Sequence, residues 1–189
     1  SETATIHLSN KEIRQALKDY PYHNIKQVGK TGAGSQLACY SKFPILSARM
    51  PDYRSNYNGS MVYEIKIGKD TVLLINNHLE SNKLTREDKV VYEDMLKDPK
   101  AGKVKSGVRQ LVNKLAEASA IRSAQARTIA QEIAHSPYPS VIVCGDFNDF
   151  PISYAHRVIS QDMDDAFTES GCGLGISYNQ KKFYFRIDN

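Results

Sequence analysis

Between residues 85 and 136 apolar side chains recur at helical spacing, at Val104, Val108, Leu111 and Leu115 and again at Ile129 and Ile133, and strand-like segments lie on either side. Strands, then long helices, then a strand again is the order of an α/β protein. A break in the helical region is expected near residues 119–123. Ahead of it, residues 61–67 alternate, with Val62, Glu64 and Lys66 on one face and Met61, Tyr63, Ile65 and Ile67 on the other, which fits a sheet with one wetter face. Gly68, Lys69 and Asp70 turn this run into residues 71–75 as a β-hairpin. Residues 37–40 read as a further strand. Behind the helices, Pro137 and Pro139 stop the pattern, residues 141–145 form a short strand of buried type, and residues 153–160 form a helix starting after Pro151. Near the start, Ser9 or Asn10 caps a short helix carrying Ile13, Ala16 and Leu17, which ends before Pro21.

The 189 residues fit one domain, 1–189, and a hydrophobic fraction of 41% with 24% charged residues excludes a disordered or low-complexity chain. The longest aliphatic runs are far short of the roughly 18 residues needed to cross a bilayer. The first residue is Ser1, so any signal or anchor upstream would lie outside these residues, and localisation is not read from them. Cys39, Cys144 and Cys172 are far apart and form no CxxC, which points to neither a disulfide framework nor a structural zinc site. The net charge of +4 is compatible with an anionic partner without demanding one.

Three strand ends carry residues suited to chemistry. In the first, an apolar run enters Cys144-Gly145-Asp146-Phe147-Asn148-Asp149. If the strand stays extended, Asp146 and Asn148 share a face and could reach one water or one hard cation; the same residues also suit a turn or helix cap. In the second, Asn76-Asn77-His78-Leu79-Glu80, alternation puts Asn76, His78 and Glu80 together. His78 there could donate to an anionic oxygen or shuttle a proton, or could anchor a loop. In the third, Arg186 and Asp188 share a face opposite Phe185 and Ile187. They could form a salt bridge, or Asp188 could orient a catalytic histidine.

Several familiar sites are absent. The serine of Gly32-Ala33-Gly34-Ser35-Gln36 is not centred in a nucleophile elbow, Lys97 stands where a P-loop would need its first glycine, and there is no HExxH. The glycine-rich residues 171–175 read as a surface loop, and the basic stretch 97–105, without interleaved aromatics, reads as a solvated helix edge.

Taken in order, Tyr40-Ser41-Lys42-Phe43-Pro44-Ile45, Asn77-His78-Leu79, Gly145-Asp146-Phe147-Asn148 and Arg186-Ile187-Asp188 resemble the motifs of the endonuclease/exonuclease/phosphatase superfamily of metal-dependent phosphoesterases. The Gly-Asp-Phe-Asn element is the most specific of them. The resemblance implies a four-layer α/β sandwich, two packed mixed sheets flanked by helices, with these strand ends converging on one cleft. It implies Asp146 as the acid that positions and deprotonates the attacking water, Asn148 as the amide orienting that acid and the phosphate, and His78 as a phosphate contact. It further implies Asp188 as the acid orienting a later histidine and Arg186 as a substrate-side residue. The implied cofactor is Mg2+, or Mn2+, because the ligands are hard oxygens, with Asp146 and Asn148 as ligands of a second metal.

Two family elements are expected to lie outside these residues: the strand bearing the main metal-binding Glu, for which Glu2 is a poor stand-in, and the Ser-Asp-His strand. The domain therefore reads as incomplete at both termini, with activity in the full-length protein and little in this segment alone. The expected partner is a phosphoester, either nucleic acid or a phosphorylated lipid or inositol. A non-catalytic binding module on the same fold is the rival reading. Substrate choice falls to loops at residues 52–59, 81–105 and 171–182, with Tyr178 and Asn179 as candidate contacts.

Overall fold

The computed structural model describes residues 2–3, 9–28, 36–53, 55, 57–97, 102–180 and 183–189. Strand β1 (Glu2–Thr3) comes first, followed by helix α1 (Asn10–Ala16). The helix starts at Ser9, whose hydroxyl accepts the Glu12 N–H at 3.3 Å while the Glu12 carboxylate accepts the Ser9 N–H at 2.7 Å, a reciprocal cap of two orphan donors. Strands β2 (Tyr22–Gln27) and β3 (Gln36–Ser41) pair antiparallel, and β1 lies on the other edge of β3, giving a sheet of order β1-β3-β2. Residues 40–45 are not one strand: β3 ends at Ser41, and the chain bends through Pro44, which has no N–H to give a ladder, before β4 (Ile45–Arg49).

The expected hairpin is β5 (Gly59–Ile67) with β6 (Asp70–His78), in register from Ile67↔Asp70 at the turn to Gly59↔His78 at the open end. Helices α2 (Arg86–Lys97) and α3 (Gly102–Ala134) follow. The break expected near residues 119–123 does not occur, since α3 runs through it and Ser123 bonds back to the Ser119 carbonyl at 2.7 Å inside the helix. The helices carry the chain across to β7 (Ser140–Asp146), parallel to β6, as a parallel pair requires, and the second sheet has the order β4-β5-β6-β7. Helices α4 (Tyr154–Ile159) and α5 (Ala166–Ser170) and the hairpin β8 (Tyr178–Gln180) with β9 (Phe183–Phe185) complete the chain.

Two cores set the layers. Met61, Tyr63 and Ile65 of β5 meet Val28, Leu37 and Cys39 between the two sheets. Val62, Leu73 and Ile75 meet Ala126 and Ile129 of α3 and Ala155 and Ile159 of α4 on the opposite face. Strand β5 is therefore covered on both sides, and Val62 is 1% exposed where a wetter face was expected. Each such side chain contributes about 1.5–3 kcal/mol by leaving water. The packing of the described residues accounts for two sheets and one helical layer, and the α/β class expected from sequence is the observed one. No described helix is long and apolar enough to cross a membrane. Residues 29–35 and 98–101, which include most of the glycine-rich 32–36 segment and part of the basic stretch, lie outside the described residues.

Candidate active site

The parallel register of β6 and β7 brings two of the three strand ends together, with Asn77 beside Gly145 and His78 beside Asp146. On the other side of β7 the C-terminal residues add antiparallel. Gly145 and Asn189 exchange hydrogen bonds of 2.8 and 3.0 Å, the Phe147 N–H donates to the Ile187 carbonyl at 2.8 Å, and Asp146 and Asp188 form a bridge between them. Gly59, His78, Asp146 and Asp188 thus stand side by side on four neighbouring segments. His78 is 7% exposed.

Backbone geometry at the strand end depends on Gly145. Its φ of +128° is open to few other residues, and a Cβ there would lie 2.0 Å from the Asn77 carbonyl oxygen. Strand β7 stops at Asp146 instead of extending through Asn148, so the shared face expected from alternation does not form. Asn148 takes a left-handed φ of +52°, which asparagine tolerates, and its N–H donates to Asp146 Oδ1 at 2.7 Å. Its Nδ2 donates to the Leu79 carbonyl at 3.0 Å. The structure therefore shows the turn alternative for this motif, with the Asn148 N–H fixing one oxygen of the Asp146 carboxylate.

Beneath the row lies a buried polar layer. Tyr53 donates to Ser60 Oγ, and Ser60 donates to Asn77 Oδ1 at 2.6 Å, with Ser60 and Asn77 at most 1% exposed. Burial pushes the Tyr53 phenol up, so it stays a donor. Glu80, 2% exposed, accepts from Ser55 Oγ at 2.7 Å and pairs with Lys83 at 2.5 Å, and its N–H donates to Gln125 Oε1 at 2.8 Å. Lys83 itself has φ +50° and lies over the Tyr57 ring.

Arg122 of α3 joins the loop after β6 to the loop after β7. It is 3% exposed and donates to the Glu80 carbonyl and Asn82 Oδ1, both at 2.8 Å, and to Asp149 Oδ2 at 3.0 Å. Asn82 in turn reaches the Asn148 carbonyl at 3.4 Å. Sequence reading missed Arg122, Asn82 and Asp149 as a unit. The available signal was a cation on the apolar stripe of α3, between Ala118 and Ala126, where a buried charge needs partners.

The remaining candidates separate. Arg186 is committed elsewhere: it pairs with Asp165 at 2.6 Å, donates to Asn189 Oδ1 at 2.7 Å and lies 4.7 Å from the centre of the Phe167 ring. Its ion pair is real, but the partner is Asp165 and not Asp188, which remains exposed at the strand end. The guanidinium holds the Asp165 carboxyl down to about 2. Tyr178 lines a cavity of about 400 Å3 that also includes Asn148 and Asp149, whereas Asn179 is exposed and not among the residues lining it. Lys89 Nζ meets the Tyr178 hydroxyl at 3.2 Å.

Glu2, expected to be a poor stand-in for the metal-binding Glu, lies in the two-residue strand β1. Glu2 pairs with Leu37 and Thr3 with Gln36, and Gln36 pairs with Gln27, next to Val28. Val28 is the residue that a Cβ on Gly59 would strike, so β1 lies at the same end of the molecule as His78. Two residues are too few to show alternation, which is why this strand was not legible. Among the described residues no group of three His, Cys, Asp or Glu side chains is gathered for a metal ion. The oxygens of Asp146, Asp188 and Asn148 are nonetheless the hard donors that suit Mg2+, which commonly completes its shell with water and phosphate.

No curated protein sequence matches the chain. Among solved structures, it is similar to D. rerio TDP2 complexed with a single-strand DNA product, at 14% identity and a TM-score of 0.55, covering 96% of this chain and 66% of that one. It is similar to sphingomyelinase C from Streptomyces griseocarneus, at 19% identity and a TM-score of 0.51, covering 80% of this chain and 51% of that one. A variant of beta toxin from Staphylococcus aureus with bound magnesium ions gives 16% identity and a TM-score of 0.51, again covering 80% of this chain and 51% of that one. The chain spans about half the length of most of these structures. A model of the Endonuclease/Exonuclease/phosphatase family matches residues 5–188, nearly the whole chain, and the protein belongs to that family.

Proposed function

We propose that the protein is a divalent-metal-dependent phosphoester hydrolase and that His78, Asp146, Asn148 and Asp188 carry its chemistry. The observation that supports this most is the in-register row of His78, Asp146 and Asp188 at adjoining strand ends, with Asn148 bonded to the Asp146 carboxylate. Family membership and the relatives, one solved with a DNA product and another with magnesium ions, point the same way.

In this reading Asp146 accepts a proton from the attacking water as the new P–O bond forms and the bond to the leaving alcohol breaks. The Asn148 N–H fixes which carboxylate oxygen does so. His78 donates to a phosphoryl oxygen on which negative charge accumulates. Asp146, Asp188 and the Asn148 side-chain oxygen would hold Mg2+ or Mn2+, which supplies charge stabilisation to the phosphoryl group when bound. Asp188 would also orient a histidine, and Tyr178 would contact substrate. Arg186, committed to Asp165, acts by holding the last residues in place more than by touching substrate.

The deciding experiment is hydrolysis of bis(p-nitrophenyl) phosphate by the full chain with Mg2+ and with chelator. Activity that needs the metal and disappears in Asp146→Asn supports the proposal. Metal-independent activity, or an active Asp146→Asn protein, overturns it.

A further inference from the structure

The cavity beside Asn148 is walled on one side by Leu84, Leu111 and Leu115, from α3 and the loop before α2, and on the other by Phe150, Phe185 and Ile187. Phe150 meets Phe185 edge-on at 4.9 Å, and Tyr178 stacks on Phe185 at 6.4 Å, so the second wall is a packed aromatic surface. Several of the polar groups around it are engaged within the protein. Asp149 and Asn82 are held by Arg122, Lys83 by Glu80, and Lys89 by the Tyr178 hydroxyl. Such a wall can exclude water from an apolar group but offers little with which to read the donor and acceptor edge of a nucleobase.

Asn148 and Asp149 belong to the lining, so the cavity opens beside the turn that follows Asp146. In the hydrolase reading Asn148 lies at the phosphate, so a substituent on phosphorus has this opening next to it. We propose that the cavity receives an apolar chain of the substrate, so that the preferred phosphoester carries a long alkyl group on one of its oxygens. This inference rests on the hydrolase reading for its function, but the binding it requires does not depend on turnover.

Two measurements on the full chain test it. With Mg2+, kcat/KM is compared for methyl, butyl and octyl p-nitrophenyl phosphate, which share one leaving group. It is expected to rise by roughly twofold to fourfold for each added methylene until the cavity is filled. Leu115→Trp, which fills the cavity, lowers the octyl-to-methyl ratio toward one. If that variant does not fold, Leu84→Asn in the preceding loop is expected to reduce the same ratio. Without metal, calorimetry compares octylphosphonate, kept below its micelle concentration, with methylphosphonate, neither of which can be turned over at its P–C bond.

Tighter binding of octylphosphonate supports the cavity assignment even if no diester is cleaved, in which case the hydrolase reading alone fails. Hydrolysis with no dependence on chain length, equal binding of the two phosphonates, or faster cleavage of the p-nitrophenyl ester of thymidine 5′-phosphate than of the octyl diester overturns it.

Discussion

Asp146 and Asp188 lie directly opposite each other across an antiparallel bridge, as the non-hydrogen-bonded pair between the bonds Gly145–Asn189 and Phe147–Ile187. Such pairs bring their side chains closer than hydrogen-bonded ones. Two carboxylates so placed oppose each other unless a cation or a shared proton lies near them, and like charges at directly opposite positions destabilise a sheet. In the proposed reading a divalent cation bound beside this pair and His78 would offset that opposition.

Replacing either acid by its amide therefore separates stability from activity. Asp146→Asn or Asp188→Asn is expected to leave the metal-free protein as stable or up to about 1 kcal/mol more stable in urea unfolding. On the proposed mechanism, in which Asp146 accepts the proton, Asp146→Asn should lower turnover of an activated phosphodiester by several orders of magnitude. Mg2+ should raise the melting temperature of the unaltered protein and raise it less in either variant. A melting temperature indifferent to Mg2+ in the unaltered protein would remove the metal from this pair.

Gly145 is the backbone position on which the row depends. In Gly145→Ala the added Cβ would lie 2.0 Å from the Asn77 carbonyl oxygen, at a φ of +128° that alanine rarely adopts. The strand ends must shift to relieve this, and the expected loss is about 3 kcal/mol or more by denaturant unfolding, with activity reduced beyond the unfolded fraction. By contrast, Gly68→Ala in the hairpin turn meets nothing within 4 Å and should cost only the strain of its φ of +61°.

The parts of this protein that local chemistry dictates were readable from its residues, and the parts that depend on distant packing were not. The Ser9 cap, the hairpin of β5 and β6, and the strand entering Asp146 follow from neighbours in sequence. The row itself required parallel pairing across the long helical crossover, which sequence order permits but does not register. Asp165 as the partner of Arg186 lies 21 residues away in a short helix cap, so the nearby Asp188 was the natural but incorrect guess. Arg122 was hidden for the opposite reason: a cation in a helix is usually solvated, and only burial against two loops reveals its three acceptors.

Arg122 gives a test of those loops. Arg122→Met keeps much of the side-chain volume but leaves Asp149 and the Glu80 carbonyl without their donor in a buried place. Breaking a buried ion pair on one side costs about 3–5 kcal/mol. Arg122→Lys is expected to recover little of it, since one ammonium cannot reproduce the planar fork that serves three acceptors. Thermal unfolding of both variants measures the loss, and a Lys variant as stable as the original would show that the fork is dispensable.

The Arg186–Asp165 pair predicts an acid limb in stability. Its folded carboxyl is held at about 2, chiefly by the hydrogen bond from Arg186, against an ordinary aspartate value of 3.8. The stabilisation is therefore complete above the unfolded value and is lost as pH falls from near 4 through about 2. Arg186→Met should reduce that dependence, leaving the share due to the Phe167 and Thr168 N–H groups, and lower stability at neutral pH by about 1 kcal/mol, a figure kept small because the carboxylate retains contact with solvent. Urea midpoints measured from pH 7 down to pH 2 should show the two proteins converging at the acid end; parallel curves would mean that Asp165 draws its stabilisation from its helix cap and not from Arg186.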